Sequence, residues 1–359
     1  LAAPAPARQA PPPVGGAAQP GGTVGGPAAA SNHIYTVTKR SELLAALANG
    51  GDNPKIIKLV GTIDMSEGQP YASTADQAAR GAIRLKSNTT LIGADANAGI
   101  VNGTVLVTNV FQVIIRNLKI VNPCDVEPVW DPMDGATGNW NSAYDAIGVS
   151  GSHHVWVDHV TFTDMPVTDN FLPVENGHKK QCHDGSLDIT NASDYVTVSY
   201  NVFGQHDKTG LVGGSDSATA DEGKLRVTFS NNVYRDVVQR APRVRFGQVH
   251  LFNNYYVGSK SASLYAHSYS VGAGKNARIL SNNNVFEIAG AQGCDRVVSN
   301  MSSTNPGYFK DSGSLLNGAA LGACSVSNAV GWTVPYAFTP RPAALVKANA
   351  LAQSGVGKI

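Results

Sequence analysis

Val227-Thr228-Phe229-Ser230-Asn231-Asn232 is one copy of a short pattern that occurs six times along this chain. In each copy apolar residues alternate with other residues, and a polar residue, usually Asn, follows where the chain is expected to turn. The other copies are Val113-Ile114-Ile115-Arg116-Asn117-Leu118, Val155-Trp156-Val157-Asp158-His159-Val160, Val196-Thr197-Val198-Ser199-Tyr200-Asn201, Val249-His250-Leu251-Phe252-Asn253-Asn254 and Ile279-Leu280-Ser281-Asn282-Asn283-Asn284. Recurrence every 20 to 40 residues, roughly, is typical of a solenoid. The sequence therefore predicts an all-β solenoid in which equivalent residues of successive coils stack above one another.

The composition agrees with such a fold. Charged residues make up 15% of the 359 residues, below the usual share of about 25%, and the chain contains 38 glycines, which suit tight turns. A formal net charge of +1 gives no general basic field for nucleic acid. No apolar run approaches the ~18 residues of a transmembrane helix. We therefore expect neither a nucleic acid nor a membrane as a partner.

The two ends of the chain depart from the repeat. Residues 1–30 are almost entirely Ala, Pro, Gly and Gln, and they lack the apolar run of an intact signal peptide. They are predicted to be a flexible tail, followed by one solenoid domain over residues 31–359. Residues 41–50 predict a short helix, with Ser41 as N-cap, that covers the open end of the solenoid. After residue 290 the pattern is lost, and we expect the chain to pack back along the outside.

Four cysteines, Cys124, Cys182, Cys294 and Cys324, fit neither a zinc cluster nor a Cys-x-x-Cys redox pair. Their even number favours two disulfides, Cys124–Cys182 and Cys294–Cys324, and therefore a secreted, extracellular protein. Four buried free thiols in a cytoplasmic protein are the alternative.

Two intervals between repeats, Val113 to Val155 and Val155 to Val196, are much longer than the 20 to 25 residues, roughly, that a bare coil needs. Insertions in a solenoid tend to build a binding site on one face. They carry Asp145, Asp184 and Asp188, of which the last two are four apart and share one side of an extended strand. Converging carboxylates favour a hard divalent cation such as calcium. The alternative is that these aspartates only form turns.

A basic cluster follows, with Lys208, Arg240, Arg243 and Arg245. Arg243 and Arg245 are two apart and share a strand face, while Pro242 excludes a regular helix. Guanidinium groups bind carboxylates with two parallel hydrogen bonds, so the cluster predicts an anionic ligand. A set of surface ion pairs is the alternative.

Four motifs in this part of the chain occur together in a known order. They are Val155-Trp156-Val157-Asp158-His159, Asp184-Gly185-Ser186-Leu187-Asp188, His206-Asp207-Lys208-Thr209 and Gln239-Arg240-Ala241-Pro242-Arg243-Val244-Arg245-Phe246-Gly247. With these motifs the chain resembles the polysaccharide lyase family that includes extracellular pectate lyases. Trp130-Asp131-Pro132-Met133-Asp134-Gly135 upstream resembles the bacterial branch. The resemblance is clear over residues 110–260 and weaker over 35–290.

This resemblance implies a right-handed parallel β-helix that cleaves polygalacturonate by calcium-dependent β-elimination to 4,5-unsaturated oligogalacturonates, and we expect it to act as a monomer. By motif, Asp145, Asp184 and Asp188 match the primary calcium ligands. Asp134 matches a position that helps to bind further calcium in some members. The remaining matches are Arg240 with the catalytic base and Lys208 and Arg245 with groups that hold substrate carboxylates, with Arg243 beside them. Some members carry a further acidic ligand where this chain has Ala143, which implies weaker calcium binding before substrate arrives.

Other interpretations remain open at this point. A pectin lyase or a polygalacturonase has the same coil, but the first lacks the calcium carboxylates and the second needs no arginine cluster. A non-catalytic β-helical adhesin predicts more uniform coils. Trp156, Asp158 and His159 resemble a catalytic set, but alternation places Trp156 and Asp158 on one strand face, which predicts a packing role. The asparagines that end the repeats predict a stack of side-chain amides inside the coil.

Overall fold

The computed structural model describes residue 9, residues 11–12, residues 14–326 and residues 332–359. Within these ranges the chain forms mostly short strands and three α-helices, α1 (Arg40–Ala48), α2 (Thr74–Arg80) and α3 (Ala343–Gln353). None of these helices has the length and apolar character needed to cross a membrane.

The strands of the first half are β1 (Ile34–Val37), β2 (Lys55–Leu59), β3 (Thr62–Asp64), β4 (Ala82–Arg84), β5 (Thr89–Gly93), β6 (Gly99–Val101), β7 (Thr104–Thr108), β8 (Phe111–Arg116), β9 (Lys119–Val121), β10 (Val129–Asp131), β11 (Asn139–Asn141), β12 (Ile147–Ser150), β13 (His153–Asp158), β14 (Thr161–Thr163), β15 (Val174–Glu175) and β16 (His178–Lys179). Those of the second half are β17 (Leu187–Thr190), β18 (Asp194–Ser199), β19 (Val202–Lys208), β20 (Leu211–Val212), β21 (Arg226–Ser230), β22 (Val233–Gln239), β23 (Arg243–Val244), β24 (Gln248–Phe252), β25 (Tyr255–Ser259), β26 (Val271–Ala273), β27 (Arg278–Asn282), β28 (Val285–Ala289), β29 (Val298–Asn300), β30 (Tyr308–Ser312), β31 (Leu315–Leu316), β32 (Ala319–Ala320) and β33 (Ser325–Val326).

These strands form three long sheets that wind around one core as a right-handed parallel β-helix. Sheet A has the order β1-β2-β5-β8-β13-β18-β21-β24-β27-β30-β33, sheet B the order β3-β6-β9-β14-β19-β22-β25-β28-β31-β32, and sheet C the order β4-β7-β12-β17-β20-β23-β26-β29. Each coil runs from A to B to C. The six sequence repeats are neighbours in sheet A and pair in the expected register, for instance Val155 with Val113 and Val196. The solenoid prediction is confirmed.

Inside the coil, side chains stack along the axis because equivalent positions repeat. Five aromatic rings are stacked with centroids 4.6–4.9 Å apart: Phe162, Phe203, Tyr234, Tyr256 and Phe286. Four fully buried asparagines also form a ladder in which each amide oxygen accepts from the neighbouring coil: Asn201, Asn232, Asn254 and Asn284. The predicted amide stack is therefore confirmed. It satisfies buried polar groups at the turn from sheet A to sheet B.

Helix α1 closes the N-terminal end, where it buries Leu43 and Leu47 against the core. It begins at Arg40, so the prediction of Ser41 as N-cap was wrong. The start of the helix is held instead by the Glu42 carboxylate, which accepts the amide and hydroxyl of Thr38.

The C-terminal part both extends the coil and packs on its outside. Strands β30 and β31 add a further coil beyond residue 290, where the sequence pattern had been lost. Helix α3 then lies on sheet B, where Val346 and Ala350 contact Val233 and Tyr255. The expectation of a segment that returns along the outside is met by α3.

Residues 14–30, predicted to belong to a flexible tail, lie against the outward face of sheet A. The amides of Gly16 and Ala17 donate to the hydroxyls of Thr228 and Thr197, each at 2.9 Å, and Ala17 is fully buried. A Cβ atom at Gly16 would come within 2.8 Å of the Val196 carbonyl oxygen. Small residues thus permit close packing here, and this part of the predicted tail is corrected to a packed segment. Most residues before Val14 lie outside the described ones.

Both predicted disulfides are present, Cys124–Cys182 and Cys294–Cys324. The first joins the two long insertions. Each insertion also carries a two-stranded hairpin, β10–β11 and β15–β16, and the indole of Trp140 on the first donates to the Glu175 carbonyl on the second at 3.4 Å. The insertions form one structure beside sheets B and C.

Candidate active site

The predicted acidic and basic residues lie on successive coils, at the turn from sheet B to sheet C. Asp145 immediately precedes β12, and Asp184 and Asp188 stand before and within the next strand of sheet C, β17. Lys208 ends β19, and Arg240 directly follows β22, the next strand of sheet B. The fold therefore brings together two residue sets that lie far apart in sequence.

Asp145 and Asp188 approach each other across Gly185. The Gly185 amide donates to Asp145 Oδ1 at 2.9 Å. A Cβ atom at position 185 would lie 2.5 Å from Asp188 Oδ1 and 2.8 Å from Asp145 Oδ1. A side chain here would therefore fill the space between the two carboxylates. The glycine keeps this space open, and oxygen atoms line it.

The carboxylates are electrostatically unfavourable in the absence of a cation. Burial, followed by the repulsion of Asp184, raises the pKa of Asp188 to about 7. Burial and the charges of Asp188 and Asp184 raise the pKa of Asp145 well above its usual value. Burial also raises the pKa of Asp184, although Lys208 and Arg240 oppose this shift. Such a group of carboxylates binds a hard divalent cation readily, because the ion replaces mutual repulsion by attraction.

Asp134 lies elsewhere. It is exposed, between strands β10 and β11, and its backbone amide donates to the Asp131 carbonyl at 3.3 Å. Among the described residues no contact joins it to Asp145, Asp184 or Asp188. The structure therefore does not bring Asp134 into the primary cluster.

The basic residues form the other half of the site. Lys208 is 5% exposed, and three arginines are partly buried: Arg240 after β22, Arg243 in β23 and Arg245 directly after β23. Burial and the nearby charge of Arg245 lower the pKa of Arg243. The Nε atoms of Arg240 and Arg243 are buried and have no hydrogen-bond partner among the described residues. Two buried donors without acceptors indicate that an anionic ligand completes this surface.

Arg245 differs from its neighbours because it already has an acidic partner. Its Nε donates to Asp216 Oδ1 at 2.7 Å, and its Nη1 donates to the Gly213 carbonyl at 3.1 Å. Asp216 is 57% exposed, so solvent screens this ion pair and a ligand carboxylate can compete with it.

Several polar residues to which the sequence assigned no role surround this cluster. His206 is buried with its Nδ1 2.7 Å from Asp164 Oδ1, and its Nε2 is 3.1 Å from the Lys208 carbonyl oxygen. Burial lowers the pKa of His206, but the ion pair with Asp164 outweighs this effect and raises that pKa above its ordinary value. The Asp207 carboxylate accepts from Gln181 and Gln239. His206 and Asp207 adjoin Lys208 in sequence, and that adjacency was the available signal.

Asp125 was also missed. Its carboxyl group is buried beside Asp184 and Asp145, and its Oδ2 accepts the amide of Ala143 at 2.6 Å. Burial raises the pKa of Asp125 to about 6. Its position next to Cys124, whose disulfide partner Cys182 lies two residues before Asp184, was the signal that could have identified it.

Chemically, the site offers oxygen ligands for a cation next to several cationic side chains for an anion. A polyanion with carboxylates at regular spacing satisfies both halves, because one carboxylate contacts the cation while others contact Lys208 and the arginines. The site residues come from successive coils, so the site extends along the solenoid axis.

Comparison with known proteins gives a consistent result. A family model described as pectate lyase matches residues 1–359. The chain is 39% identical to a pectate lyase of Bacillus subtilis (strain 168), over 94% of this chain and 90% of the relative. It is 43% identical to pectate lyase E of Dickeya dadantii (strain 3937), over 96% of this chain and 86% of the relative. A solved structure of a pectate lyase bound to a hexasaccharide superimposes with a TM-score of 0.91 at 36% identity, and covers 99% of this chain and 100% of that one.

Proposed function

Because the chain belongs to the pectate lyase family, and is thus a polysaccharide lyase, we propose that it cleaves α-1,4-linked polygalacturonate by calcium-dependent β-elimination to 4,5-unsaturated oligogalacturonates. The observation that carries this proposal is the juxtaposition of mutually repelling carboxylates with two buried arginine Nε donors that have no acceptor in the described part of the chain. One of the similar solved structures is bound to a hexasaccharide, which supports an oligosaccharide as ligand.

Calcium fits the residues present. The donor set consists of carboxylate oxygens, which hard cations prefer, and Gly185 leaves the space between Asp145 and Asp188 open. Asp145, Asp184 and Asp188 would hold the ion. When bound, it withdraws charge from a substrate carboxylate and so makes the neighbouring C5–H more acidic.

The proposed base is Arg240, which takes the C5 proton of the residue on the reducing side of the broken bond. The C5–H electron pair becomes the C4–C5 double bond, the C4–O bond breaks, and the leaving oxygen takes a proton from water. A guanidinium group is ordinarily a poor base because its pKa lies above ~12. In the proposed step Arg240 therefore acts as the neutral guanidine and becomes guanidinium when it takes the C5 proton.

Lys208 and Arg245 are proposed to hold free carboxylates of the substrate, with Arg243 beside them. This assignment predicts a preference for de-esterified polymer. A pectin lyase binds neutral methyl esters and has no need for three clustered carboxylates, and a polygalacturonase has no need for the arginine cluster. A non-catalytic adhesin would leave both sets unexplained.

We also propose that the protein is secreted and acts as a monomer on extracellular polysaccharide. Two disulfides support this location, because such bonds persist in oxidising compartments.

The test uses de-esterified polygalacturonate with excess calcium chelator, then with calcium restored. We expect ultraviolet absorbance of the unsaturated product only with calcium, and slower cleavage as methyl esterification increases. Full activity in chelator would exclude the calcium role, and faster cleavage of highly methylated pectin would favour a pectin lyase.

A further inference from the structure

Asp125 is a buried carboxylate that is only half satisfied. It lies between β9 and β10, outside both strands, and is 5% exposed. One oxygen, Oδ2, accepts the Ala143 amide at 2.6 Å. The other, Oδ1, is buried and has no hydrogen-bond partner in the described part of the chain. A buried carboxylate oxygen without a partner is costly, so a cation or another donor is expected beside it.

Asp125 connects the two segments that carry the proposed calcium ligands, one through its side chain and the other through its backbone. Its carboxylate binds residue 143, two positions before Asp145. Its own amide donates to the Cys182 carbonyl at 2.7 Å, two positions before Asp184. The disulfide Cys124–Cys182 fixes the same junction covalently. Asp125 therefore sits where both ligand segments meet, on a third segment that contributes none of the three proposed ligands.

The charge of Asp125 acts on this cluster, and the basic group that acts on Asp125 is His183. Its carboxylate repels Asp184 and Asp145, so that four acidic groups share one region. Among the described residues no Lys or Arg forms an ion pair with it. Lys208 and Arg240 instead act on Asp184, and Arg240 also acts on Asp188.

Asp221 shows that a half-satisfied carboxylate alone does not mark a cation site. It is fully buried, its Oδ1 accepts the Ala192 amide at 2.6 Å, and its Oδ2 has no partner among the described residues. Its local contacts thus match those of Asp125. Asp125 differs in that the Tyr144 amide and His183 also act on it, whereas in the described part of the chain no other carboxylate acts on Asp221. It provides a matched control.

We propose that Asp125 is a fourth carboxylate of the calcium site, which strengthens the binding of the ion through its charge while it holds the Asp145 and Asp184 segments together. This inference rests on the proposed function, because it requires that the cluster binds calcium. It places part of the calcium affinity on a residue that the sequence motifs do not contain.

The experiment measures calcium binding by titration calorimetry on the full chain without substrate. Asp125→Asn keeps the size of the side chain and an acceptor for Ala143, but removes the charge. We expect at least a tenfold weaker calcium Kd for Asp125→Asn, and an unchanged Kd for Asp221→Asn. If the asparagine side chain does not fit and Asp125→Asn fails to fold, Asp125→Ser is smaller, also removes the charge and is measured in the same way.

The outcomes separate the two proposals. If the wild type binds calcium and both Asp125 variants bind within twofold of it, this inference is wrong while the proposed function stands. If the wild type binds no calcium and its activity is insensitive to chelator, the calcium site and the role of Asp125 both fail.

Discussion

The outward face of sheet A and the candidate active site lie on the same coils and use the same residue types, yet their charges are arranged in opposite ways. On sheet A, the Asp158 carboxylate accepts from Arg116 Nε at 2.7 Å and from the Ser199 hydroxyl at 2.6 Å. The indole of Trp156 donates to Ser199 at 2.8 Å, and the Arg116 guanidinium lies 4.5 Å from its ring centroid. Every charge in this network faces its complement.

At the active site the carboxylates face one another, and buried arginine nitrogens face no acceptor among the described residues. The comparison teaches that pairing, more than residue type, separates a structural polar cluster from a functional one. Asp158 with Trp156 and His159 resembles a catalytic set in sequence, but its partners are all internal. Asp188 Oδ1 accepts the Leu211 amide at 2.9 Å, but among the described residues Asp188 forms no ion pair with a Lys or Arg, and Asp184 repels it. Mutations in the two regions should therefore affect different measurements.

The largest effect is expected for Arg240→Lys. Lysine keeps a positive charge but lacks the planar guanidinium and places its nitrogen differently. We expect kcat on polygalacturonate to fall at least a thousandfold, about 4 kcal/mol, with calcium binding and thermal stability unchanged. Arg235→Lys, exposed on the same strand β22, is the control and should retain full activity.

If Arg240→Lys keeps more than about a tenth of the wild-type kcat, a loss of under ~1.4 kcal/mol, Arg240 is not the base. The active site would then lack the proposed base, which is the catalytic feature that sheet A does not have.

The next prediction concerns stability, where a substitution on sheet A should have a larger effect than one in the active site. Asp158→Ala removes one partner of a buried ion pair and leaves Arg116 without it, so the free energy of unfolding should fall by about 3–5 kcal/mol. Asp188→Asn removes a charge that Asp184 repels and keeps an acceptor for the Leu211 amide, so stability in chelator should stay constant or rise. Urea unfolding of both variants in chelator measures the difference. An equal loss in the two variants would mean that the carboxylates of the active site are as well compensated as Asp158.

The fold could be predicted well from the sequence because a solenoid repeats the same sequence pattern in successive coils. Alternation in one segment is weak, but the same alternation six times fixes which valines stack, and the asparagine ladder follows from the same register. The positions of Asp145, Asp184, Asp188 and Arg240 were predicted by motif, and the structure brings them together at one turn. Their assigned roles remain predictions.

What sequence could not predict were contacts between segments that share no repeat. Asp125 and Asp216 stand in loops whose course depends on the disulfide and on the length of each insertion, which local pattern does not determine. The Ala- and Gly-rich N-terminal segment was predicted to be flexible from composition, whereas Gly16 and Ala17 use their small size to lie against sheet A. Composition shows that a segment can be flexible, but whether it packs depends on the surface next to it.

A pH measurement tests the paired region further. His250, on the outward face of sheet A, is fully buried between the Tyr336 hydroxyl and the Asn282 side chain, and no carboxylate of the described residues acts on it. Burial lowers the pKa of His250 to about 4, from 6.5. The unfolded chain therefore binds this proton more readily, and stability is lost as pH falls from about 6.5 towards 4. Between pH 7.5 and pH 5 we expect a loss of about 2 kcal/mol from this group.

His250→Gln should remove this share of the acid sensitivity while it retains hydrogen bonding to the neighbours. The measurement is the difference in free energy of unfolding between the two pH values, for wild type and variant. Equal differences would show that His250 accepts its proton in the folded state as easily as in the unfolded one.

The smallest effect concerns Arg245, which forms an ion pair with an acidic residue of the protein, as Arg116 does on sheet A. Arg245 bonds to the exposed Asp216 and also to the Gly213 carbonyl, so loss of Asp216 leaves the second bond to orient the guanidinium. An exposed ion pair contributes about 0.2–1 kcal/mol, and a substrate carboxylate must replace it. We therefore expect Asp216→Ala to lower KM for polygalacturonate by up to about fivefold, with kcat unchanged. Ser215→Ala, at the adjacent exposed position, is the control. A raised KM would instead show that Asp216 holds Arg245 in the orientation that binds substrate. The active site would then contain one structural ion pair, like Arg116–Asp158 on sheet A.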